Sequence, residues 1–134
     1  MVPGRFLGTI QQRSYMSTLS QEEVDTLRLH RRLRTGLIAR QNDLFRQSDD
    51  NQLVMLTSKV EELPDQDAIL RTVREYDSFD EPHSEHDFGK FDWHGTAFVW
   101  KVDCYDSNGL WISWVDPQDP KCVRALTIML AEEY

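Results

Sequence analysis

Residues 85–106, EHDFGKFDWHGTAFVWKVDCYD, constrain the fold more than any other stretch of this sequence. They contain two runs with the alternation typical of β-strands, joined by the turn-forming pair His94-Gly95, and so predict a β-hairpin. Because side chains alternate between the two faces of a strand, the second run should present one core face and one half-polar face. The predicted core face holds Phe98, Trp100, Val102 and Cys104, and the half-polar face holds Val99, Lys101, Asp103 and Tyr105.

The chain is long enough and apolar enough to form one hydrophobic core, since its 134 residues are 40% apolar and include four Trp, six Phe and four Tyr. We predict a flexible arm over residues 1–19, which lack periodicity, and a single α+β domain over residues 20–134. No apolar run approaches the roughly 20 residues that cross a bilayer. The chain is therefore predicted to be cytoplasmic, without a membrane partner. Its two cysteines lack zinc-ligand spacing, and no cofactor is predicted.

The first helix is marked by a capping box at Ser20 to Glu23 and should run toward Arg46. Its apolar residues fall on two stripes rather than one. Either the helix breaks or bends near Gly36 so that both stripes reach one core, or it is straight and offers a second apolar face, which would allow a homodimer through this helix. The stripes are Val24, Leu27, Ile38 and Phe45 on one side, and Leu29, Leu33, Leu37 and Leu44 on the other.

The remaining elements follow from shorter patterns. A strand is predicted over residues 53–57, a second helix over 65–76, and a third strand of the hairpin meander over 110–115. Asp119 followed by Pro120 suits the N-cap and first position of a helix, so we predict a last helix that reaches the C-terminus. The order α-β-α-β-β-β-α indicates an α+β domain, with an antiparallel sheet of about four strands packed with three helices.

Charge is divided unevenly along the chain, whose net charge is -8. Residues 1–48 carry eight arginines and four acidic side chains, whereas the other 86 residues carry seven basic and nineteen acidic side chains, a net charge of -12. Such asymmetry favours interaction over catalysis. The alternative is that the basic helix neutralises the acidic part of its own fold. The residues expected to contact a basic partner are Glu85, Asp87, Asp92, Trp93, Asp103, Asp106 and Trp111.

A metal-assisted hydrolase is a second hypothesis, because residues 82–87 are dense in side chains that bind metals. Imidazole and carboxylate groups would have to converge there, with a carboxylate of the adjacent strand completing the site. The spacing is not HExxH, and neighbouring residues of a strand point to opposite faces. The structural alternative is that His86 or Asp87 fixes the start of the hairpin by hydrogen bonds. The hydrolase set is His83, Glu85, His86, Asp87 and Asp103, with His83, His86 and Asp103 as metal ligands.

Nucleic-acid binding through the first helix is a third hypothesis. Its basic patch contains no aromatic residue, and such a patch is most often a solvated helix face. Neither GxxxxGK[ST] nor GxGxxG occurs in the sequence, so the usual nucleotide-binding signals are absent. The patch consists of Arg28, Arg31, Arg32 and Arg34.

Several motifs in the second half resemble a family of small bacterial proteins of unknown function. They are EHDFG at 85–89, WKVDCYD at 100–106, the Asp-Pro steps at 116–117 and 119–120, and RALTIMLAEEY at 124–134. IARQNDLFR at 38–46 and the LVMLT strand extend the resemblance. The sequence departs from the pattern at Cys104, where an aromatic residue is expected, and at DEPHSEHD, where an Asn-Asp-Pro lead-in is expected. The first departure argues against a stacking role at that position.

The resemblance implies an origin in plasmids, prophages and other mobile elements, and no established activity. Mobile elements carry small acidic proteins that block host restriction or CRISPR machinery, often by occupying surfaces made for DNA. A strongly acidic chain suits such a basic groove, because opposed potentials speed association and set orientation. The leading prediction is therefore an anti-CRISPR or anti-restriction inhibitor that binds a basic surface of a host protein or nucleoprotein complex.

Overall fold

The computed structural model describes residues 18–48, 53–106 and 114–134. The chain divides into two compact units, residues 1–34 and residues 35–134. The element order is α-β-α-α-β-β-β, which confirms the α+β class with three helices and a four-stranded sheet. The elements are α1 (Gln21–Gln47), β1 (Val54–Leu56), α2 (Ser58–Glu61), α3 (Gln66–Arg74), β2 (Phe88–Trp93), β3 (Thr96–Asp106) and β4 (Cys122–Leu130), followed by a short 3-10 helix (Ala131–Glu133).

Two predicted segments lie largely outside the described residues. These are the arm over residues 1–19 and the strand over residues 110–115. At the end of the latter, Trp114 forms an isolated antiparallel bridge with Tyr105 of β3. Within the described ranges, no helix combines the length and apolar character that crossing a membrane requires.

Helix α1 begins at the predicted capping box. The backbone N–H of Glu23 donates to Ser20 Oγ at 3.1 Å, and the N–H of Ser20 donates to Glu23 Oε1 at 2.9 Å. Two N–H groups that lack a partner inside the helix are thereby satisfied. The helix continues through Gly36, so of the alternatives predicted there the break does not occur. A single glycine inside a helix costs only about 1 kcal/mol, which the surrounding turns tolerate.

The second apolar stripe of α1 is exposed. Leu29 and Leu33 are 50% and 56% exposed in the first unit, and Leu37 and Leu44 are 56% and 59% exposed in the second. By contrast, Ile38 is fully buried. A homodimer through this helix stays a prediction.

The sheet is mixed, with the strand order β1-β4-β3-β2. The hairpin β2–β3 and the pair β3–β4 are antiparallel, as predicted, whereas β1 runs parallel to β4. The prediction of an entirely antiparallel sheet is therefore wrong at this one edge. Parallel neighbours require a long crossover connection, and nothing local in the sequence shows that β1 and β4 are such a pair.

Residues Cys122–Leu130 form a strand, where a helix reaching the C-terminus was predicted, and only the short 3-10 helix Ala131–Glu133 follows it. Strand β4 pairs with most of β3, from Leu130 opposite Phe98 to Cys122 opposite Asp106. Both of its faces are covered, so its apolar residues form a nearly continuous run, which fits a helical stripe equally well. Asp119 instead shapes the preceding turn, where its carboxylate accepts a hydrogen bond from the Lys121 N–H at 2.8 Å.

The core lies between the sheet and helices α2 and α3. Trp100, at its centre, is fully buried, and its ring meets Tyr76 edge-on with the centroids 5.4 Å apart. Gly89 of β2 lies so close that a Cβ there would be 2.3 Å from Trp100 Nε1 and 2.8 Å from Tyr76 Cζ. The buried core residues are Val60, Ile69, Val73, Phe98, Trp100, Val102, Leu126 and Ile128.

Arg46 joins α1 to the end of α3. Its Nε donates to the Val73 carbonyl at 3.0 Å and its Nη2 to the Tyr76 carbonyl at 2.9 Å, while Nη1 lies 2.9 Å from Asp43 Oδ1. Its guanidinium carbon is 4.9 Å from the centroid of the Trp100 ring. A cation is favourable at this end of a helix, where carbonyl groups carry the negative end of the dipole. The arginine predicted simply to end the first helix is therefore part of the core.

Replacing Gly89 by alanine should destabilise the protein by about 1–3 kcal/mol, because the added methyl group overlaps the Trp100 ring. Urea denaturation measures this change. Gly36→Ala is the matched control, since nothing lies within 4 Å of its Cβ position, and it should stabilise the protein by up to about 1 kcal/mol. Equal stabilities of Gly89→Ala and the wild type would contradict this packing.

Replacing Arg46 by methionine should cost about 3–5 kcal/mol of unfolding free energy, because Asp43 and two carbonyl groups lose a buried cation. Arg40→Met on the exposed side of the same helix is the control and should change stability by less than about 0.5 kcal/mol. Both values come from the same denaturation measurement. Similar losses in the two variants would show that the guanidinium contacts contribute little.

Candidate protein-binding surface

His86, a predicted metal ligand, is held between two carboxylates. Its Nδ1 lies 2.9 Å from both carboxylate oxygens of Asp43, and its Nε2 lies 2.8 Å from Glu81 Oε1. The ring stacks on Phe79 with a centroid distance of 3.8 Å. The side chain is buried, whereas His83 is exposed. Both ring nitrogens are thus used within the fold.

This arrangement favours the protonated imidazolium, in which both nitrogens donate. Burial lowers the pKa of His86, but the hydrogen bonds and charges of Glu81 and Asp43 outweigh it and raise the pKa above its ordinary value. Because Asp43 also binds Arg46, an ionic chain connects α1 to the loop before β2. This agrees with the structural alternative, in which His86 fixes the start of the hairpin.

Asp103, the strand residue of the predicted hydrolase set, pairs with Lys101 on the same face. The Lys101 Nζ lies 2.9 Å from Asp103 Oδ2, and this contact raises the pKa of Lys101. Burial, with a further contribution from the charge of Asp103, raises the pKa of Asp87. The Glu85 carbonyl accepts a hydrogen bond from Asn42 Nδ2 at 2.9 Å. In the described parts of the chain, no three His, Cys, Asp or Glu side chains are placed to hold a metal ion.

The residues predicted to bind a partner do not form one patch. Asp92 and Asp103 project from the sheet face opposite the helices, where the register also places Lys90 and Lys101. Charges of both signs therefore alternate on that face. Trp93 belongs to the helix-covered face and packs against the core. Asp106 ends β3 opposite Cys122, and Trp111 lies outside the described residues.

The basic patch lies on α1 in the first unit. Its arginines are exposed to solvent. Arg28 approaches Asp25 at 3.9 Å, and both side chains remain more than half exposed. The structure thus places this patch on a helix surface, as the sequence predicts. Its members are Arg28, Arg31, Arg32 and Arg34.

A second group of acidic side chains belongs to α2, α3 and the segments that follow them, outside the predicted site. Residues 58–81 carry eight acidic side chains against Lys59, Arg71 and Arg74. Glu81 is paired with His86. Seven others are exposed and take part in none of the salt bridges found among the described residues. We call these seven the acidic surface: Glu61, Glu62, Asp65, Asp67, Glu75, Asp77 and Asp80.

A groove of about 270 Å³ opens beside the acidic surface, between the α2–α3 turn and the hairpin turn. Buried Ile69 and Phe98 contribute to its lining. Asp65 also lines it, and adopts a left-handed backbone conformation with φ 57° at the N-cap of α3. Its side chain makes no capping hydrogen bond, so the carboxylate is not used by the helix. The other lining residues are Leu63, Pro64, Trp93, His94 and Thr96.

Comparison with known proteins places the chain in a family. The family model described as "Protein of unknown function (DUF3768)" matches residues 56–133. The chain belongs to the DUF3768 family. No curated protein and no solved structure matches it.

The DUF3768 match covers α2, α3, the hairpin and β4, and with them the acidic surface and the groove. It does not reach α1, which supplies Asp43 and Arg46. The match confirms that the chain belongs to an uncharacterised family, whereas the motifs quoted for the resemblance stay a prediction. Its connection with mobile elements stays a prediction.

Stability of this DUF3768 protein should fall as pH rises above about 6.5, the ordinary pKa of histidine. The pKa of His86 is raised by folding, so its contribution is complete below that pH and is lost as pH rises through the folded-state pKa. His86→Asn accommodates the left-handed backbone at φ 58° and should flatten this dependence while costing about 1–3 kcal/mol at pH 6.

The measurement is urea denaturation over a pH series. His83→Asn, at an exposed histidine three residues away, is the matched control and should keep the wild-type pH dependence. If the wild type and His86→Asn lose stability in parallel above pH 6.5, the ionic chain through His86 does not control it.

Proposed function

We propose that this DUF3768 protein is an interaction protein whose acidic surface binds a basic surface of a nucleic-acid-handling protein or nucleoprotein complex. The observation that supports the proposal is the set of seven exposed carboxylates on residues 61–80, none of which has a salt-bridge partner among the residues that the structure describes. Such charges repel one another and oppose compaction. A partner of opposite potential relieves that repulsion, speeds encounter and sets orientation.

The resemblance of the motifs to proteins of plasmids and prophages supports a more specific form of the proposal. Restriction and CRISPR enzymes hold nucleic acid in positively charged channels, and a mobile element benefits when those channels are blocked. We propose that the target is a host defence enzyme of this kind in the cytoplasm. The chain would act by occupying the surface that otherwise receives DNA.

The other two hypotheses have weaker support from the geometry. The hydrolase needs His86 and Asp103 as ligands, but the first is engaged by Asp43 and Glu81, and the second by Lys101. The basic patch on α1 is exposed but has no aromatic residue beside it in the sequence for stacking on bases. Within residues 18–48, 53–106 and 114–134, no specific contact favours either hypothesis over binding through the acidic surface.

The test combines a functional assay with a matched pair of charge variants. Expression of the chain should raise plasmid transformation in a bacterium whose restriction or CRISPR system targets that plasmid. The triple variant Glu75→Gln, Asp77→Asn, Asp80→Asn should lose this effect and bind the captured target about tenfold more weakly. Capture should also weaken steeply at high salt.

The control is a triple variant with the same net charge, altered at exposed acidic residues outside the acidic surface: Glu22→Gln, Asp25→Asn and Asp92→Asn. It should retain inhibition and binding. Equal losses in the two triple variants would mean that net charge alone matters and would refute the assignment to this surface. If low-salt capture recovers no nucleic-acid-handling protein and no defence system is inhibited, the proposed function is wrong.

A further inference from the structure

We infer that the groove between the α2–α3 turn and the hairpin turn receives an arginine side chain of a protein partner. This inference rests on the proposed function, since it names the group of the basic partner that anchors on the acidic surface. The groove combines an apolar lining with an acidic rim. Four observations on its size, lining, rim and surroundings support an arginine over other occupants.

The first observation is size. The groove holds about 270 Å³, whereas sites for drug-sized ligands and cofactors span about 300–1,000 Å³. It is open on one side, between two exposed turns, and so can be entered by a side chain that projects from a protein surface. A single long side chain is therefore the occupant that matches it.

The second observation is the lining. Leu63, Pro64 and Trp93 line the groove together with the buried residues Ile69 and Phe98. Arginine carries a long apolar stem that packs on such surfaces while its charged end stays near water. Its planar guanidinium also stacks on aromatic rings more readily than the ammonium of lysine. Both properties suit a groove with an indole in its wall.

The third observation is the rim. Asp65 lines the groove, and its carboxylate is free of the capping bond that an aspartate at this position usually makes. The helix start instead uses its backbone carbonyl, which accepts from the N–H groups of Ala68 and Ile69 at 3.0 Å. A carboxylate of this kind is available to the two parallel N–H groups of a guanidinium. An apolar occupant would desolvate the carboxylate without pairing it.

The fourth observation is the charge around the groove. Asp65 also borders a shallower depression of about 600 Å³, which is lined by Asp67 and by Arg71. Arg71 is the one cationic side chain of that depression and is not among the groove residues. Glu61 and Glu62 precede Asp65 by four and three residues, so three carboxylates lie close together in the sequence at the α2–α3 turn. These charges favour a cation over an anion in the groove.

The experiment uses the full chain, labelled with ¹⁵N, and follows the indole N–H signal of Trp93, assigned with Trp93→Phe. The probe is a capped pentapeptide with two arginines separated by alanine. The control probe replaces both arginines by citrulline, which has the same shape without the charge. The arginine peptide should shift the Trp93 signal in a saturable manner, and the citrulline peptide should bind at least about tenfold more weakly.

Matched variants distinguish binding in the groove from attraction of the peptide to the overall negative charge of the chain. Asp65→Asn keeps a residue that tolerates the left-handed backbone and should weaken the arginine peptide by about three- to tenfold. Glu22→Gln removes the same charge at an exposed position of α1 outside the acidic surface and should change binding less than about twofold. Folding of both variants is checked by the dispersion of the same spectrum.

Equal effects of Asp65→Asn and Glu22→Gln, or equal binding of the citrulline peptide, would refute binding of the arginine in the groove. A lysine peptide that binds as tightly as the arginine peptide would overturn the choice of arginine. These outcomes are separate from the proposed function. If the peptide fails to shift Trp93 but the acidic-surface triple variant still loses its partner, only the groove is refuted. If the peptide binds as expected but no nucleic-acid-handling partner exists, only the proposed function is refuted.

Discussion

The guanidinium of Arg46 is almost completely buried, and its contacts bring three parts of the chain to one point. It donates to the carbonyls that end α3, pairs with Asp43 one turn earlier in α1, and lies against the ring of Trp100. A buried cation costs several kcal/mol unless its partners are all in place. Helix α1, the end of α3 and the hairpin core must therefore assemble together, because none of them satisfies this group alone.

The same turn of α1 also positions the loop before the hairpin and the strand β4. Asn42 Nδ2 donates to the Glu85 carbonyl at 2.9 Å, and Asn42 Oδ1 accepts from Arg124 Nε of β4 at 2.7 Å. Asp43 completes the set through His86. These contacts hold the loop that follows α3, which carries part of the acidic surface, against the sheet. The carboxylates are thus displayed from an anchored segment, although the DUF3768 match does not include the residues that anchor it.

Elements that depend on neighbouring residues could be predicted from the sequence alone. The capping box at Ser20, the His94-Gly95 turn and the second predicted helix each depend on residues close together in the sequence, and all three predictions were confirmed. Strand β4 was mistaken for a helix because a strand buried on both faces has no distinctive period. The partners of His86 and Arg46 could not be predicted, since Asp43 and Val73 lie 43 and 27 residues away. The excess of acidic residues over residues 58–81 is present in the sequence, but the sequence does not show which of these carboxylates remain exposed and unpaired in the fold.

The place of β4 in the sheet determines the order in which the protein can assemble during synthesis. The hairpin β2–β3 is local and can form as soon as it leaves the ribosome, whereas β1 finds its neighbour only in β4, about 70 residues further along. Until β4 emerges, β1 has no strand to join and the apolar edge of β3 is unprotected. The sheet is therefore completed only after β4 has been synthesised. Until translation has passed Leu130, the core of the nascent chain stays accessible to chaperones and proteases.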